Sequence, residues 1–148
     1  MFKKILCPVD FSEFTDEILS YAEIIAKRFD SELHLIHVIP NLSYFTPYES
    51  FLTPENLVAI ERNIEGEVGK DFDKITKKLD FPFKRIIKTG VTSVEIIDYI
   101  KQQGIDLVVM GTHGRSGIEH LLIGSVAEKV VRKSPCPVLT VRPKSKTF

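Results

Sequence analysis

Residues 105–110 read Ile-Asp-Leu-Val-Val-Met, and residues 111–125 continue with Gly-Thr-His-Gly, nine further residues, and Gly-Ser. The apolar run predicts a strand that is buried on both faces, as in a parallel sheet. The glycines predict a loop after it, with a helix beginning near Ser125. Such loops hold phosphates, because the first N–H groups of the following helix can meet an anion. The stretch therefore predicts an α/β protein that binds a nucleotide.

The glycine spacing differs from that of the other common phosphate loops. A Walker A loop needs a lysine directly after its second glycine, and no lysine follows a glycine of this loop. A Rossmann fingerprint opens directly into a helix, whereas Leu121, Leu122 and Ile123 separate Gly117 from the predicted helix. The spacing that is present is Gly-x2-Gly-x9-Gly-Ser, at positions 111, 114, 124 and 125.

This spacing resembles the ATP-binding motif of the universal stress protein family, and the resemblance covers nearly the whole chain. Residues 5–10 (Ile-Leu-Cys-Pro-Val-Asp) resemble the first strand of that family, and His37-Val38 resembles the end of the second. Residues 134–139 resemble the entry to the last strand, and only about residues 41–56 look particular to this chain. The resemblance implies an adenine nucleotide alpha hydrolase-like fold and an adenine nucleotide ligand (ATP, or AMP or ADP) with Mg²⁺. It also implies a homodimer through the last strand.

Strands and helices are expected to alternate along the rest of the chain. Strands are predicted at about 3–9, 32–39, 83–88, 105–110 and 137–142. Helices are predicted to begin with Ser12 and Thr53 as N-caps, and with capping boxes that open at Thr92 and Ser125. We therefore expect a single-domain, doubly wound, five-stranded parallel sheet with helices on both faces. This domain should span residues 1–143, followed by a short basic tail at 144–148.

Ligands of such sheets bind at the carboxyl ends of the strands, where the strand order changes direction. If the first and fourth strands are neighbours, Asp10 and Gly111 border one crevice. A carboxylate repels phosphates, so Asp10 suits the adenine, the ribose or contact through Mg²⁺. No metal ligand is otherwise indicated, and no catalytic residue is predicted. The candidate nucleotide-binding residues are Pro8, Val9, Asp10, Val38, Met110, Gly111, His113, Gly114, Arg115, Gly124, Ser125 and Val126.

Several of these candidates leave two roles open. Ser125 either caps its helix or donates its hydroxyl to a phosphate. Arg115 either contacts a phosphate or is a solvated surface side chain. His113 is expected to approach the ligand through its backbone. The resemblance implies that the backbone of Val38 reads the adenine.

Composition and charge exclude several classes of partner. The 148 residues carry 20 basic and 20 acidic side chains, which gives no broad basic surface for nucleic acid. No apolar run approaches the roughly 20 residues that span a bilayer, and the N-terminus lacks a signal-peptide pattern. We expect a cytoplasmic protein without a membrane partner. Cys7 and Cys136 lack metal-ligand spacing and are expected to be reduced core residues.

These features favour an ATP-binding regulatory protein, a nucleotide-dependent stress-response switch with a possible protein partner. No general base or Walker lysine is evident, so any ATP hydrolysis should be weak. The alternative is a slow ATPase or another nucleotide-processing enzyme on the same fold. An aromatic loop with Tyr44, Phe45, Tyr48 and Phe51 is either a lid, a partner surface or a loop folded onto its own domain.

Overall fold

The computed structural model of the protein describes residues 1–41, 53–113 and 123–144. The aromatic loop, the candidates Gly114 and Arg115, and most of the predicted tail lie outside the described residues. The chain forms two compact units, residues 1–40 with 80–148, and residues 41–79.

The first unit contains a five-stranded parallel sheet, which confirms the predicted fold class. Its strands are β1 (Lys4–Pro8), β2 (Glu32–Pro40), β3 (Phe83–Gly90), β4 (Leu107–Gly111) and β5 (Val138–Val141). They lie in the order β3-β2-β1-β4-β5, so β1 and β4 are neighbours as the shared crevice requires. The helices among the described residues are α1 (Thr15–Phe29), α2 (Pro54–Thr76), α3 (Thr92–Gln103) and α4 (Ser125–Lys133), of which α2 belongs to the second unit.

One face of the sheet packs against α3 and α4 in a single apolar cluster. Its strand residues are Leu6, Ile36, Val38, Val108 and Met110. Alternate residues of the same strands are also buried, and they lie on the opposite face because strand side chains alternate. The connection from β1 to β2 runs across the sheet in the opposite direction to the connection from β3 to β4. Because both crossovers are right-handed, α1 lies on the face opposite to α3. The helices therefore cover both faces, as expected.

The start of α1 differs from the prediction. Ser12 was expected as the N-cap, but the helix begins at Thr15 with Phe14 in the cap position. Ser12 instead belongs to the preceding turn, in which its carbonyl accepts from the N–H of Thr15 at 3.1 Å. The buried Ser12 hydroxyl has no hydrogen-bond partner in the described part of the chain.

Both predicted capping boxes are also wrong. Val91 and Gly124 occupy the N-cap positions of α3 and α4, and neither provides a side-chain cap. Thr92 and Ser125 are the first helical residues, so their hydroxyls are not in the position from which a cap accepts the backbone N–H groups. At the other end of α3, Gly104 ends the helix in a left-handed conformation (φ 64°).

The unit at 41–79 contains α2. Thr53 is its N-cap, as predicted, and accepts from the N–H of Asn56 at 3.2 Å, with Pro54 as the first helical residue. Its buried residues are Val68 and Phe72. No described helix is both long and apolar enough to span a membrane.

Candidate functional site

A cavity of about 420 Å³ lies at the carboxyl edge of the sheet. The ends of β1, β2 and β4 border it, together with the starts of α3 and α4. The strand order changes direction here, because the chain runs from β1 outward through β2 and β3 and then returns to the other side of β1. Ten candidates from the sequence line this cavity: Pro8, Val9, Asp10, Val38, Met110, Gly111, His113, Gly124, Ser125 and Val126.

The strand order gives the cavity two distinct ends. Val38 is in β2 and Ser125 begins the helix after β4, while Asp10 follows the intervening β1. Neighbouring strands lie roughly 4.8 Å apart, so the ends of β2 and β4 are separated by on the order of 10 Å. A ligand that contacts both ends must therefore be elongated and must pass the end of β1.

The backbone of Val38 points toward the cavity side of β2. The N–H of Val9 donates to the carbonyl of Ile36 at 2.8 Å, and the N–H of Glu32 donates to Lys3. Even-numbered residues of β2 therefore direct their N–H and C=O groups toward β1. Because β1 ends at Pro8, Val38 directs its N–H and C=O past the end of that strand. Val38 thus combines a backbone donor and acceptor with a position on the cavity wall.

Asp10 is held in place by the turn that leads into α1. Its Oδ1 accepts from the N–H of Ser12 at 3.0 Å and from the hydroxyl of Thr15 at 3.4 Å. These two contacts explain why a short acidic side chain follows β1, since it organises the entry to the helix. Asp10 also borders the cavity, so one carboxylate oxygen can hold the turn while the other can contact a ligand.

The thiol of Cys7 is fully buried in β1, three residues before Asp10. Burial raises the pKa of the Cys7 thiol to about 12, with a further contribution from the negative charge of Asp10. The thiol therefore stays protonated at neutral pH and behaves as a small apolar core residue, as expected from the sequence. Cys136, the other cysteine, is a free thiol of intermediate burial.

His37 also lines the cavity, a position that the sequence did not predict. Its Nδ1 lies 2.7 Å from the carbonyl oxygen of Val9, and its ring lies 4.5 Å from the ring of Phe11 between centroids. Phe11 has a positive φ of 59°, which is uncommon for a residue other than glycine and marks a constrained turn. The His37 and Phe11 rings thus brace the turn that carries Asp10.

The start of α4 presents to the cavity backbone donors that have no partner among the residues that the structure describes. The helix begins at Ser125, and the N–H of Glu128 is the first to bond within it, to the carbonyl of Gly124. The N–H of Gly124 donates to the carbonyl of Thr112 at 2.5 Å. The donors available to an anion are therefore those of Ser125, Val126 and Ala127, all of which line the cavity.

Gly111 is required by packing as well as by the loop. A Cβ atom at this position would lie 2.5 Å from Cδ1 of Ile18, on α1. The absence of a side chain therefore lets α1 approach the end of β4. Both residues line the cavity, so this close approach also shapes the cavity wall.

Sequence reasoning missed several lining residues. They are Thr15, Ile18, Ile36, His37, Pro40, Thr92, Ile96, Thr112 and Ala127. Some carried a usable signal, because a residue at the first turn of a helix after a parallel strand lies at the carboxyl edge of the sheet. The described residues contain no cluster of three or more His, Cys, Asp or Glu side chains that could hold a metal ion by themselves.

The parallel sheet and the cavity at its change of direction define a doubly wound α/β protein with a cavity at the carboxyl edge of the sheet. The model of the universal stress protein family matches residues 1–142, and the chain belongs to this family.

Relatives of similar length support this assignment. The chain is 33% identical over 142 residues to universal stress protein MJ0531 of Methanocaldococcus jannaschii, covering 96% of this chain and 83% of the relative. It is 30% identical to universal stress protein MJ0577 of the same organism, covering 98% of both. The solved structure of MJ0577 superimposes with a TM-score of 0.84 at 32% identity, over 99% of both chains. The structure of universal stress protein UspA from Lactobacillus plantarum gives a TM-score of 0.78 at 26% identity, over 95% of this chain and 98% of that one.

Proposed function

We propose that this chain is an ATP-binding universal stress protein whose cavity holds an adenine nucleotide with Mg²⁺, and that nucleotide occupancy switches its interactions. The observation that supports this most strongly is the convergence of ten sequence-predicted residues on one cavity at the change in strand order. They come from three strands and the start of α4, so their meeting depends on the fold. In this proposal residues 1–143 are the nucleotide-binding domain, in a cytoplasmic protein, and 144–148 a short tail.

The chemistry of the two ends sets the orientation of the nucleotide. The phosphates take the end at α4, where three backbone N–H groups and the hydroxyl of Ser125 can donate to them. The base takes the end at Val38, where apolar walls from Ile36 and Ile96 surround a backbone donor and acceptor. The ribose then lies across the end of β1, near Asp10.

Asp10 is the residue that would meet a magnesium ion. It is the single acidic side chain among the described residues that line the cavity. One carboxylate is enough, because the phosphate oxygens of the nucleotide are further ligands of the ion. Mg²⁺ usually binds with a nucleotide in this way. A metal held without nucleotide is not favoured by this arrangement.

The edge strand β5 is the proposed surface for a homodimer. The N–H of Thr112 donates to the carbonyl of Val141 at 3.0 Å. The odd-numbered residues of β5 therefore direct their backbone N–H and C=O groups toward β4. Val138 and Thr140 consequently direct their backbone groups outward, where a second copy can pair with them. Thr112 also accepts from Gly124, so one residue connects the phosphate end of the cavity to this edge. Occupancy of the cavity can therefore bias the dimer or a protein partner.

A slow ATPase is the second candidate. The observation in its favour is the hydrogen bond between the hydroxyl of Thr112 and Nδ1 of His113, 2.8 Å long, beside the cavity. A hydroxyl paired with an imidazole is a common arrangement in phosphate and acyl chemistry. Release of phosphate from ATP by the purified chain, at rates well above a heat-treated sample, would favour this candidate.

Binding of ATP in solution tests the proposal. The chain has no tryptophan and four tyrosines, so a retained adenine nucleotide would dominate absorbance near 260 nm. Purified protein is stripped of nucleotide and titrated calorimetrically with ATP and Mg²⁺, with CTP as the control for non-specific triphosphate binding. We expect one ATP per chain and weaker binding of CTP. The absence of ATP binding would contradict the proposed function.

A further inference from the structure

Four side-chain hydroxyls line the described part of the cavity, and they differ in their partners. Those of Thr15 and Thr112 hydrogen bond to Asp10 and His113. Those of Thr92 and Ser125 make no hydrogen bond within the described part of the chain. Both are the first residues of their helices, behind N-cap residues that have no capping side chain. Thr92 is therefore the counterpart, on α3, of the predicted phosphate ligand Ser125.

Thr92 lies at the opposite end of the cavity from Ser125. In the sheet, Val38 pairs with Lys88 and Pro40 with Gly90, so the chain leaves β3 beside the end of β2. Thr92 follows two residues later, and Ile96, one turn further along α3, packs in the same apolar cluster as Val38. The hydroxyl of Thr92 consequently belongs to the end that holds Val38, away from α4.

A glycine fixes the path from β3 to Thr92. Gly90 has a φ of 151°, which favours glycine, and a Cβ atom there would lie 2.7 Å from Oε1 of Glu95. The chain therefore turns tightly against the first turn of α3. This tight turn places Thr92 on the cavity wall with its hydroxyl uncommitted.

We propose that Thr92 is a specificity-determining residue whose hydroxyl accepts a hydrogen bond from the 6-amino group of the bound adenine. This inference rests on the proposed function. The amino group carries two hydrogens, and the Val38 carbonyl accepts one while Thr92 accepts the other. At this end the other described lining residues are the apolar Ile36, Pro40 and Ile96, and His37, whose Nδ1 hydrogen bonds to the carbonyl of Val9. The hydroxyl of Thr92 is therefore placed to distinguish bases by their exocyclic group.

A paired comparison of two ligands and four proteins tests this role. The ligands are ATP and purine riboside 5′-triphosphate, which lacks the 6-amino group and is otherwise the same. The proteins are the natural chain, Thr92→Val, Thr92→Ser and the matched control Thr89→Val. Thr89 is an exposed residue of β3 that does not line the cavity. Affinities are measured by calorimetry with Mg²⁺, and melting temperatures confirm that each variant is folded.

We expect Thr92→Val to weaken ATP about three- to tenfold, which is the usual net effect of one hydrogen bond. The same change should leave purine riboside triphosphate within about twofold, because that ligand has no group for the hydroxyl to accept from. Thr92→Ser should retain the affinity for ATP, and Thr89→Val should change neither ligand.

Three results would overturn the inference. Equal weakening of both ligands by Thr92→Val would show a general effect on the cavity, and unchanged ATP affinity would show that the hydroxyl has no role. Failure of Thr92→Ser to retain affinity would show that the methyl group matters instead. If the natural chain binds neither ligand, the proposed function itself fails, and this inference falls with it.

Discussion

Nδ1 of His37 donates a hydrogen bond to the carbonyl oxygen of Val9, over 2.7 Å. The direction is determined by the partner, because a carbonyl can only accept. Nδ1 of His37 therefore carries a proton. The bond ties the residue that follows β1 to His37 of β2, beside the point where Val38 directs its backbone toward the cavity.

Replacing His37 should loosen this junction. We expect His37→Leu to lower the free energy of unfolding by about 0.5–1.5 kcal/mol from the lost hydrogen bond, and to weaken ATP binding. His37→Asn should lose less, because an amide N–H can reach the position of Nδ1. Urea unfolding and calorimetry give the two quantities. Equal losses in both variants would show that the ring, not the hydrogen bond, stabilises the junction.

A second histidine predicts a pH dependence of stability. His34 is 1% exposed, with Nδ1 2.8 Å from the Tyr99 hydroxyl and Nε2 3.3 Å from Glu32. Burial lowers the pKa of His34 below its ordinary value of 6.5, although the hydrogen bond to Glu32 opposes this. The unfolded chain therefore binds a proton at a higher pH than the folded chain does.

The neutral form of His34 accordingly contributes fully to the free energy of unfolding above about pH 6.5. This contribution is lost as the pH falls below that value, by at most about 1.4 kcal/mol per pH unit. His34→Gln removes this titration and should flatten the decline between pH 7.5 and 5.5. Unfolding free energies of both proteins across this range provide the measurement. Parallel pH profiles for the two proteins would show that His34 is not the group responsible.

The close approach of Gly111 and Ile18 predicts a compensating pair of substitutions. Gly111→Ala should destabilise the fold by about 1–3 kcal/mol, since its Cβ would meet Cδ1 of Ile18. Ile18→Val removes that carbon and should cost about 0.5–1.5 kcal/mol alone. The double variant should lose less than the sum of the two, as measured by denaturant unfolding. Simple additivity would mean that α1 moves aside freely.

Gly124→Val tests the phosphate end. Gly124 has an extended backbone (φ −71°, ψ 162°) that valine adopts readily, and its N–H bond to Thr112 is a main-chain contact. We expect the fold to be kept and ATP binding to be abolished, because the side chain fills the approach to the helix start. Melting temperature and calorimetry separate these effects. A variant that binds ATP like the natural chain would refute the assignment.

Pairing through β5 predicts a substitution that blocks dimers alone. Thr140→Pro removes an outward N–H group without removing a hydrogen bond to β4. We expect the natural chain to sediment as a dimer at micromolar concentration and Thr140→Pro as a folded monomer, with Thr140→Val as the control. A monomeric natural chain would contradict the proposed homodimer.

The sequence predicted the sheet because its strands are short apolar runs separated by recognisable helix starts and stops. Gly111 and Gly124 line one cavity, since parallel topology brings the strand ends to the same edge of the sheet. Both Thr53 and Ser12 are predicted as N-caps, and the prediction is confirmed for Thr53 and wrong for Ser12. Thr53 precedes a proline that fixes the first helical residue, whereas the turn at Asp10 delays the start of α1 by two residues.

The missed residues depend on contacts between distant segments. His37 faces the cavity because its ring reaches Val9, 28 residues earlier, and Thr92 because β3 ends beside Pro40. Neither relation can be read from spacing along the chain. Residues that the strand order brings to the cavity can be identified only once the order β3-β2-β1-β4-β5 is known.

A crystal structure of the chain grown with ATP and Mg²⁺ tests the central claim most directly. The account predicts a triphosphate on the N–H groups of Ser125 and Val126, with the adenine against Val38 and the ribose beside Asp10. A cavity closed by its own side chains, or a nucleotide bound elsewhere on the protein, would contradict it.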